Sequence, residues 1–169
     1  GLPLAMKPAT QGSSVGLSKV ERAEDLLDAW RAAAVLDPVV IAEAWISGRE
    51  YTVGVLQGET LPAIRIETPH TFYDYQAKYF RDDTRYVCPA ELPPALAGDI
   101  ARLALQSYLA IGCEGWGRVD VMLRRADDRP FLLEVNTSPG MTGHSLVPMA
   151  ARAAGMSYED LCLRILASA

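Results

Sequence analysis

Two short segments in which apolar and polar residues alternate constrain the fold of this chain more than any other part of it. Residues 118–123 read RVDVML, residues 130–136 read PFLLEVN, and the polar residues 126–129 lie between them. Alternation with a period of two is typical of half-buried strands, and a polar connection of this kind favours a turn. The sequence therefore predicts an antiparallel β-hairpin.

The two faces of this hairpin differ in polarity. Because side chains alternate across a strand, Arg118 and Asp120 share one face of the first strand, and Glu134 and Asn136 share one face of the second. Strands paired by their apolar residues bring these groups onto neighbouring strands about 4.8 Å apart. The opposite face is predicted to carry Val119, Val121, Phe131, Leu133 and Val135.

Carboxylate and amide oxygens in this arrangement suit a hard divalent cation such as Mg²⁺ or Mn²⁺. The competing interpretation is an ordinary hairpin with a solvated polar face, because charged residues alternate on many half-exposed strands. The sequence of the hairpin alone leaves both interpretations open.

Two loops rich in small residues have the composition of anion-binding segments. Residues 137–145, TSPGMTGHS, directly follow the second strand, and residues 9–16, ATQGSSVG, follow Lys7 and Pro8. Glycine lets the backbone come close to a phosphate, and hydroxyl and N–H groups donate hydrogen bonds to it. The spacing GxxxxGK[ST] does not occur, which excludes a P-loop as the source of nucleotide binding. The alternative for residues 9–16 is an ordinary surface loop.

The composition is that of a globular chain. The chain has 169 residues, half of them hydrophobic (50%), which is enough for a real core. A net charge of -5 argues against a general nucleic-acid surface. No apolar run reaches the roughly 20 residues of a membrane helix, and no signal segment is recognisable, so we expect a cytoplasmic protein that does not contact a membrane. The three cysteines form no CxxC pair, so neither a disulfide framework nor a zinc site is predicted.

Periodicity predicts further elements on both sides of the hairpin. The capping-box pattern S-x-x-E at residues 18–21 predicts the start of a helix that ends near Ala34. Strands are expected at residues 39–43 and, as an antiparallel pair, within residues 50–66. Amphipathic patterns predict a helix at residues 94–110 and two short helices after residue 145.

Four segments resemble, in the same order, the D-alanine:D-alanine ligases, which are members of the ATP-grasp superfamily. The segments are KPATQGSSVGLSKV, EAWISGREYTV, TFYDYQAKY, and RVDVM followed by LLEVNTSPGMTGHSLVPMAARAAGMS. The resemblance implies an α+β ATP-grasp fold. Residues 1–43 would be part of the central ATP-binding lobe, and residues 44–169 would form the C-terminal lobe, a mostly antiparallel sheet flanked by helices. It also implies a C-terminal fragment, because members of the family carry a further N-terminal domain.

The resemblance implies roles for individual residues in binding ATP and metal. The residues that match the family's contacts to ATP are Lys7, Ser13, Ser14, Glu43, Ala44, Ile46, Glu50 and Lys78. Some relatives carry lysine at the position of Ala44, so the adenine site here would have one contact fewer. The residues that match the family's ligands of Mg²⁺ or Mn²⁺ are Asp120, Glu134 and Asn136.

Further residues match the part of the family's site that handles the amino acids. Arg118 and the N–H of Gly140 match the pair that binds the oxyanion. Lys78, Ser145 and the N–H of Leu146 match contacts to the carboxylate of the second amino acid. Tyr79 matches the tyrosine that secures a closed loop to a serine of the segment holding Ser13 and Ser14, and that favours D-alanine over D-lactate.

The activity implied by the resemblance is the ATP-dependent ligation of two D-alanine molecules through an acylphosphate. This reaction would serve peptidoglycan synthesis, and hence cell-wall biogenesis and cell shape, in the cytoplasm, with a homodimer as the full-length form. Two alternatives remain. One is a nucleotide- and metal-binding module that is inactive without the N-terminal domain, and the other is an ATP-grasp ligase with other substrates.

Overall fold

The computed structural model describes residues 1–12, 14–68 and 84–168, and the chain divides into two units. The first unit contains Gly1–Ile46, and the second contains Ser47–Glu67 together with the chain from Arg85 onwards. Three predicted site residues, Ser13, Lys78 and Tyr79, lie outside the described residues, as does the segment TFYDYQAKY.

The first unit contains an antiparallel sheet and a helix. Strand β1 lies between β2 and β3 and pairs antiparallel with both of them. The elements of this unit are β1 (Leu4–Pro8), β2 (Ser18–Val20), a 3-10 turn (Ala23–Asp25), α1 (Leu26–Ala34) and β3 (Val40–Ala44). The predictions of a helix ending near Ala34 and of a strand after Pro38 are confirmed.

The capping box predicted at residues 18–21 is wrong. Ser18 begins β2, where it pairs with Met6 of β1, and Glu21 forms an ion pair with Lys19. The helix begins only at Leu26. Pairing with β1 satisfies the backbone groups of residues 18–20, which a helix start would leave for side-chain caps. The tertiary environment therefore overrides the local pattern.

The second unit contains an antiparallel sheet with the strand order β7-β6-β4-β8-β9, and β5 pairs with β4. The strands are β4 (Gly48–Leu56), β5 (Glu59–Thr60), β6 (Ile64–Glu67), β7 (Arg85–Val87), β8 (Trp116–Arg124) and β9 (Pro130–Asn136). The helices are α2 (Pro94–Ala110), α3 (Leu146–Ala153) and α4 (Tyr158–Leu166). The predicted hairpin, the antiparallel pair within residues 50–66 and the helix at 94–110 are confirmed.

The two faces of this sheet are covered by different helices. On one face, helix α2 packs against the buried side chains of β4 and β8. On the other face, α3 and α4 cover the end of the sheet that carries Leu56 and Trp116. Thr52 and Asp120 lie on that second face as well, because even-numbered residues of β4 and β8 point the same way. The helices thus leave a polar region of this face, at Thr52 and Asp120, for a site.

Gly117 lets helix α2 come close to the opposite face of the sheet. A Cβ atom at residue 117 would lie 2.6 Å from Cε2 of Tyr108 and 3.1 Å from the carbonyl oxygen of Asn136. The distance to Tyr108 is shorter than real Cβ contacts, so the packing of helix against hairpin favours glycine at this position. The residue that follows is Arg118.

An irregularity in the pairing of β8 with β9 corrects the predicted faces of the hairpin. Asp120 pairs with Glu134, but the next residue, Val121, pairs with Leu132, so Leu133 is an extra residue on β9. Beyond this bulge Phe131 pairs with Met122 and lies on the face that also carries Asp120. The prediction that Phe131 shares the apolar face of Val119, Val121 and Val135 is therefore wrong.

Within residues 1–12, 14–68 and 84–168, no helix has the length and apolar character needed to cross a membrane.

Candidate functional site

The centre of the candidate site is a row of three polar side chains that crosses β4, β8 and β9. Thr52 lies opposite Asp120, and Asp120 lies opposite Glu134. Thr52 and Asp120 are only 1% and 4% exposed, whereas Glu134 is exposed to solvent. The row therefore runs from a buried hydroxyl through a buried carboxylate to an accessible carboxylate.

The carboxylate of Asp120 accepts hydrogen bonds from three side chains. Its Oδ1 accepts from Oγ1 of Thr52 at 2.6 Å and from Nε of Arg118 at 2.9 Å. Its Oδ2 accepts from Nη2 of Arg118 at 2.8 Å and from Nδ2 of Asn136 at 3.1 Å. Burial of a carboxylate is tolerated when it is paired and hydrogen-bonded in this way, so its three partners compensate for the position of Asp120 inside the sheet.

The position of the Asn136 amide shows where a cation fits. Its Nδ2 donates to Oδ2 of Asp120 and, at 3.4 Å, to Oε1 of Glu134, so one electropositive group lies between two carboxylates. A divalent cation needs the same surroundings, and rotation of the amide by half a turn would exchange Nδ2 for a ligand oxygen. The donor set consists of oxygens only, which suits Mg²⁺ or Mn²⁺.

The number of charged ligands also agrees with these ions. The part of the chain that the structure describes contains no group of three or more His, Cys, Asp and Glu residues placed to hold a metal ion. The candidate set has two carboxylates and an amide, which leaves coordination positions for water and phosphate oxygens, as is common for Mg²⁺. The residues present therefore fit such an ion.

Arg118, the predicted oxyanion-binding residue, lies against the predicted metal ligand Asp120. The two residues are neighbours on the same face of β8, and the guanidinium donates to both carboxylate oxygens. Such a bidentate pair fixes the plane and position of the guanidinium. The side chain of Arg118 is 18% exposed, so the group is held at the surface of the site rather than deep in the sheet.

The loop after β9 and the start of α3 contain three of the residues predicted to act on the amino-acid substrates, Gly140, Ser145 and Leu146. A Cβ at Gly140 would lie 3.0 Å from Oγ of Ser145, so glycine permits this approach. Ser145 immediately precedes α3, and its hydroxyl accepts from the N–H of Thr142 at 2.9 Å instead of capping the helix. The N–H of Leu146 belongs to the first turn of α3, where backbone donors have no partner within the helix and favour an anion.

In the first unit, the structure pairs two residues that were predicted to contact different parts of ATP. Nζ of Lys7 lies 2.9 Å from Oε2 of Glu43, and the two side chains are 33% and 49% exposed. An exposed pair of this kind contributes about 0–1 kcal/mol, so a phosphate group can replace the carboxylate at little cost. Ala44 ends β3, and Ile46 lies just after it.

Glu50 and Ser14 are the remaining described residues of the predicted ATP set. Glu50 lies on β4, two residues from Thr52 and on the same face, between Ile66 and Met122. Ser14 has a positive φ of 59°, in the left-handed region that few residues other than glycine adopt. Ser14 therefore lies in a turn rather than a strand.

Sequence reasoning missed two residues that organise the site and its loops. The sequence pattern indicates only a strand at Thr52, although its position two residues from Glu50 places both side chains on one face. Asp37 lies between the predicted helix and the predicted strand, where the pattern assigns it no role. In the structure it is 5% exposed and accepts hydrogen bonds from the hydroxyl and N–H of Thr10 and from the N–H of Val39. Asp37 thus anchors the start of the loop at residues 9–16, as aspartates in turns often do.

The anchoring of this loop is expected to depend on pH. The hydrogen bonds from Thr10, and then from Val39, hold the pKa of Asp37 below its usual value of about 3.9. Because the pKa of Asp37 is lower in the folded state, its ionised carboxylate stabilises the folded protein at pH values above the usual pKa. This contribution to the free energy of unfolding is lost as the pH falls through the pKa of the folded state. We expect the melting temperature to fall more steeply below about pH 4 in the wild type than in Asp37→Asn, which cannot titrate.

Melting curves at several pH values between about 3 and 6 measure this difference. Asp28→Asn is the matched control, because the Asp28 side chain is 83% exposed. Parallel acid profiles for the wild type and Asp37→Asn would contradict the anchoring role.

Comparison with known proteins places the whole chain among one group of sequences. A family model described as "D-ala D-ala ligase C-terminus" matches residues 1–167. The D-alanine–D-alanine ligase of Ralstonia pickettii is 57% identical over 173 residues, which cover 100% of this chain and 52% of that protein. The D-alanine–D-alanine ligase of Cupriavidus necator is 56% identical, with 100% of this chain and 53% of that protein covered.

Solved structures agree with the sequence comparison. The D-alanine–D-alanine ligase from Bacillus anthracis complexed with ATP matches with a TM-score of 0.83 and 32% identity, covering 99% of this chain and 52% of that one. The VanG D-Ala:D-Ser ligase from Enterococcus faecalis matches with a TM-score of 0.86 and 31% identity, covering 98% and 49%. The chain therefore spans about half the length of the relatives and structures that it matches.

Proposed function

Because this chain belongs to the family of D-alanine–D-alanine ligase C-termini, we propose that it is the ATP- and metal-binding part of an enzyme that joins two D-alanine molecules. ATP would be converted to ADP in the reaction, and the product would serve peptidoglycan synthesis in the cytoplasm. The resemblance found in four segments of the sequence is confirmed, and so is the predicted α+β ATP-grasp fold.

One structural observation carries this proposal. Asp120, Glu134 and Asn136 converge on one face of the hairpin, with an electropositive amide group between the two carboxylates. This arrangement suits a divalent cation that also binds phosphate, because it presents oxygen ligands and leaves coordination positions for phosphate oxygens. We propose these three residues as ligands of Mg²⁺ or Mn²⁺.

The reaction has two chemical demands, and the residues of this chain meet them without a nucleophilic side chain. The carboxylate of the first D-alanine attacks the γ-phosphorus of ATP, which gives an acylphosphate and ADP. The amine of the second D-alanine then attacks the acyl carbon, and the tetrahedral intermediate collapses with loss of phosphate. A bound Mg²⁺ or Mn²⁺ supplies positive charge at the phosphoryl oxygens during the first step.

The described residues have distinct roles in this proposal. In the first unit, Lys7 offers positive charge to the phosphates, and Glu43, Ala44 and Ile46 border the adenine. In the second unit, Glu50 accepts hydrogen bonds from the ribose hydroxyls, as a carboxylate does from a diol.

The second step depends on groups that stabilise an oxyanion. Arg118 and the N–H of Gly140 would donate to the oxygen that becomes negative in the tetrahedral intermediate. Ser145 and the N–H of Leu146 would hold the carboxylate of the second D-alanine, which places its amine near the acyl carbon. The helix N-terminus at Leu146 favours this carboxylate electrostatically.

Some parts of the proposal rest on the family resemblance alone. Ser13 and Ser14 would close over the phosphates, Lys78 would contact phosphate and the second amino acid, and Tyr79 would secure the closed loop. Residues 1–43 would belong to the central lobe and residues 44–169 to the C-terminal lobe. We also propose a homodimer for the full-length protein.

The decisive experiment is an assay of ADP release by the full-length protein with candidate amino acids offered separately. We expect release that depends on Mg²⁺ and on D-alanine, with little release for L-alanine or D-lactate. D-serine belongs in the set, because a structural neighbour is named as a D-Ala:D-Ser ligase. Release with D-alanine and D-serine together, but not with D-alanine alone, would replace D-alanine as the proposed second substrate.

A second candidate function is a nucleotide-binding module without turnover. It is favoured by the observation that the chain covers 52% of its relative from Ralstonia pickettii. ATP binding and ADP release by the 169-residue chain itself distinguish the two functions. Binding without release supports the module, and release with D-alanine supports an autonomous ligase.

A further inference from the structure

Thr52 is a buried residue of β4 that lies beside the proposed cation site, opposite Asp120. We propose that Thr52 is a positioning residue, whose hydroxyl holds Oδ1 of Asp120 so that Oδ2 faces Glu134 and Asn136. The hydroxyl donates to Oδ1 at 2.6 Å, across the pairing of β4 with β8. This inference rests on the proposed function, because it assigns a role in the same cation site.

The hydrogen bonds of Asp120 explain why one of its oxygens needs to be held. A carboxylate has about four lone-pair positions for hydrogen-bond donors. Thr52 and Nε of Arg118 donate to Oδ1, while Nη2 of Arg118 and Asn136 donate to Oδ2. A cation therefore binds Asp120 by replacing one of these donors.

Of these donors, the amide of Asn136 is the one suited to exchange. It lies beside the exposed Glu134, and rotation of the amide turns a donor into a ligand. Thr52 is 1% exposed, and its branched side chain has few rotamers, so its hydroxyl stays with Oδ1. The exchange consequently takes place at Oδ2.

Arg118 gives a second reason for a fixed donor on Oδ1. The proposed function assigns its guanidinium to the oxyanion, while the structure shows it donating to Asp120. A guanidinium that also donates to an oxyanion is shared between that oxygen and Asp120, so its hold on the carboxylate weakens. Thr52 then retains the orientation of the carboxylate, and with it the cation.

The chemistry of the position supports a role for the hydroxyl itself. Thr52 lies in a strand between Tyr51 and Val53, both of which are fully buried. Valine has nearly the same shape as threonine and no polar atom in its side chain. Because a buried hydroxyl is costly unless it is hydrogen-bonded, the hydroxyl at this position has its role in the bond to Asp120. The bond length of 2.6 Å is typical of a hydroxyl that donates to a charged carboxylate.

The test measures Mn²⁺ binding to the full-length protein by electron paramagnetic resonance, with Thr52→Val as the main variant. We expect the dissociation constant for Mn²⁺ to rise about 10- to 100-fold, as is usual when a group that orients a metal ligand is removed. In the ADP-release assay, the Mn²⁺ concentration for half-maximal rate should rise by a similar factor, while kcat at saturating Mn²⁺ changes less. Wild-type affinity in folded Thr52→Val would overturn the proposal.

Conservative variants separate the hydroxyl from packing. Thr52→Ser keeps the hydroxyl and is expected to bind Mn²⁺ nearly as the wild type does, whereas Thr52→Ala should bind about as weakly as Thr52→Val. Equal affinities of the serine and alanine variants would overturn the proposal even if Thr52→Val does not fold. Thr60→Val, the same change on β5 and outside the row, is the matched control, and it should bind Mn²⁺ normally.

Glu134→Ala distinguishes failure of this inference from failure of the cation site. If Glu134→Ala binds Mn²⁺ weakly and Thr52→Val binds it normally, only the role of Thr52 is overturned. If Glu134→Ala itself binds Mn²⁺ as the wild type does, the hairpin is not the cation site, and the inference is overturned with it.

Discussion

Glu134→Ala is expected to abolish ligation by the full-length enzyme while leaving the protein folded. Glu134 is the exposed carboxylate of the row, on β9, and it accepts a hydrogen bond from the amide of Asn136 at the surface. Its loss removes a proposed ligand of the cation that compensates charge on the transferring phosphoryl group. Because a metal ion contributes several kcal/mol to such a transition state, we expect ADP release to fall by about 1000-fold or more.

The measurements are ADP release with D-alanine and Mg²⁺, and the melting temperature without metal. Glu59→Ala is the matched control, because Glu59 is also an exposed glutamate at a strand position, on β5. The control should retain full activity. Near-normal turnover by Glu134→Ala would refute the assignment of the hairpin as the metal site.

The hairpin could be predicted from sequence because its information is local. Alternation over residues 118–123 and 130–136 fixes the strands, and their polar positions fix which carboxylates meet. The bulge could not be predicted in the same way. The consecutive Leu132 and Leu133 are equally apolar, so no local pattern indicates which of them is left out of the pairing.

The wrong prediction at residues 18–21 has a different physical cause. The S-x-x-E pattern is a sound local signal, but it competes with a strand partner far away in the sequence. Pairing with Leu4, Ala5 and Met6 gives residues 18–20 their strand conformation. A local motif cannot report on such a partner, so the helix began later than the sequence indicated.

The same distinction applies to the candidate site. Asp120, Glu134 and Asn136 lie within a single hairpin, and their convergence follows once the hairpin is recognised. Thr52 lies 68 residues from Asp120 in the sequence, and only the pairing of β4 with β8 shows that they meet. The roles of Ser13, Lys78 and Tyr79 depend on the family resemblance and stay predictions.

Arg118 is the residue for which the structure adds most to the sequence prediction. The resemblance assigns it to the oxyanion, and the structure shows that its guanidinium is oriented by two hydrogen bonds to Asp120. The same carboxylate is a proposed metal ligand, so the positions of the cation and of the oxyanion donor are coupled through Asp120. A lysine at this position keeps the charge but has neither the planar fork nor the reach to serve both groups.

Arg118→Lys is therefore expected to lower kcat by about 100- to 1000-fold, the usual loss for one oxyanion donor. The KM for D-alanine should change little, because the oxyanion exists only in the transition state and its donor does not contribute to substrate binding. Steady-state kinetics of ADP release measure both parameters, and Arg102→Lys, at a side chain that is 65% exposed on α2, is the matched control. A kcat within about threefold of the wild type would show that the guanidinium serves only to pair with Asp120, because a lost oxyanion donor costs far more than that.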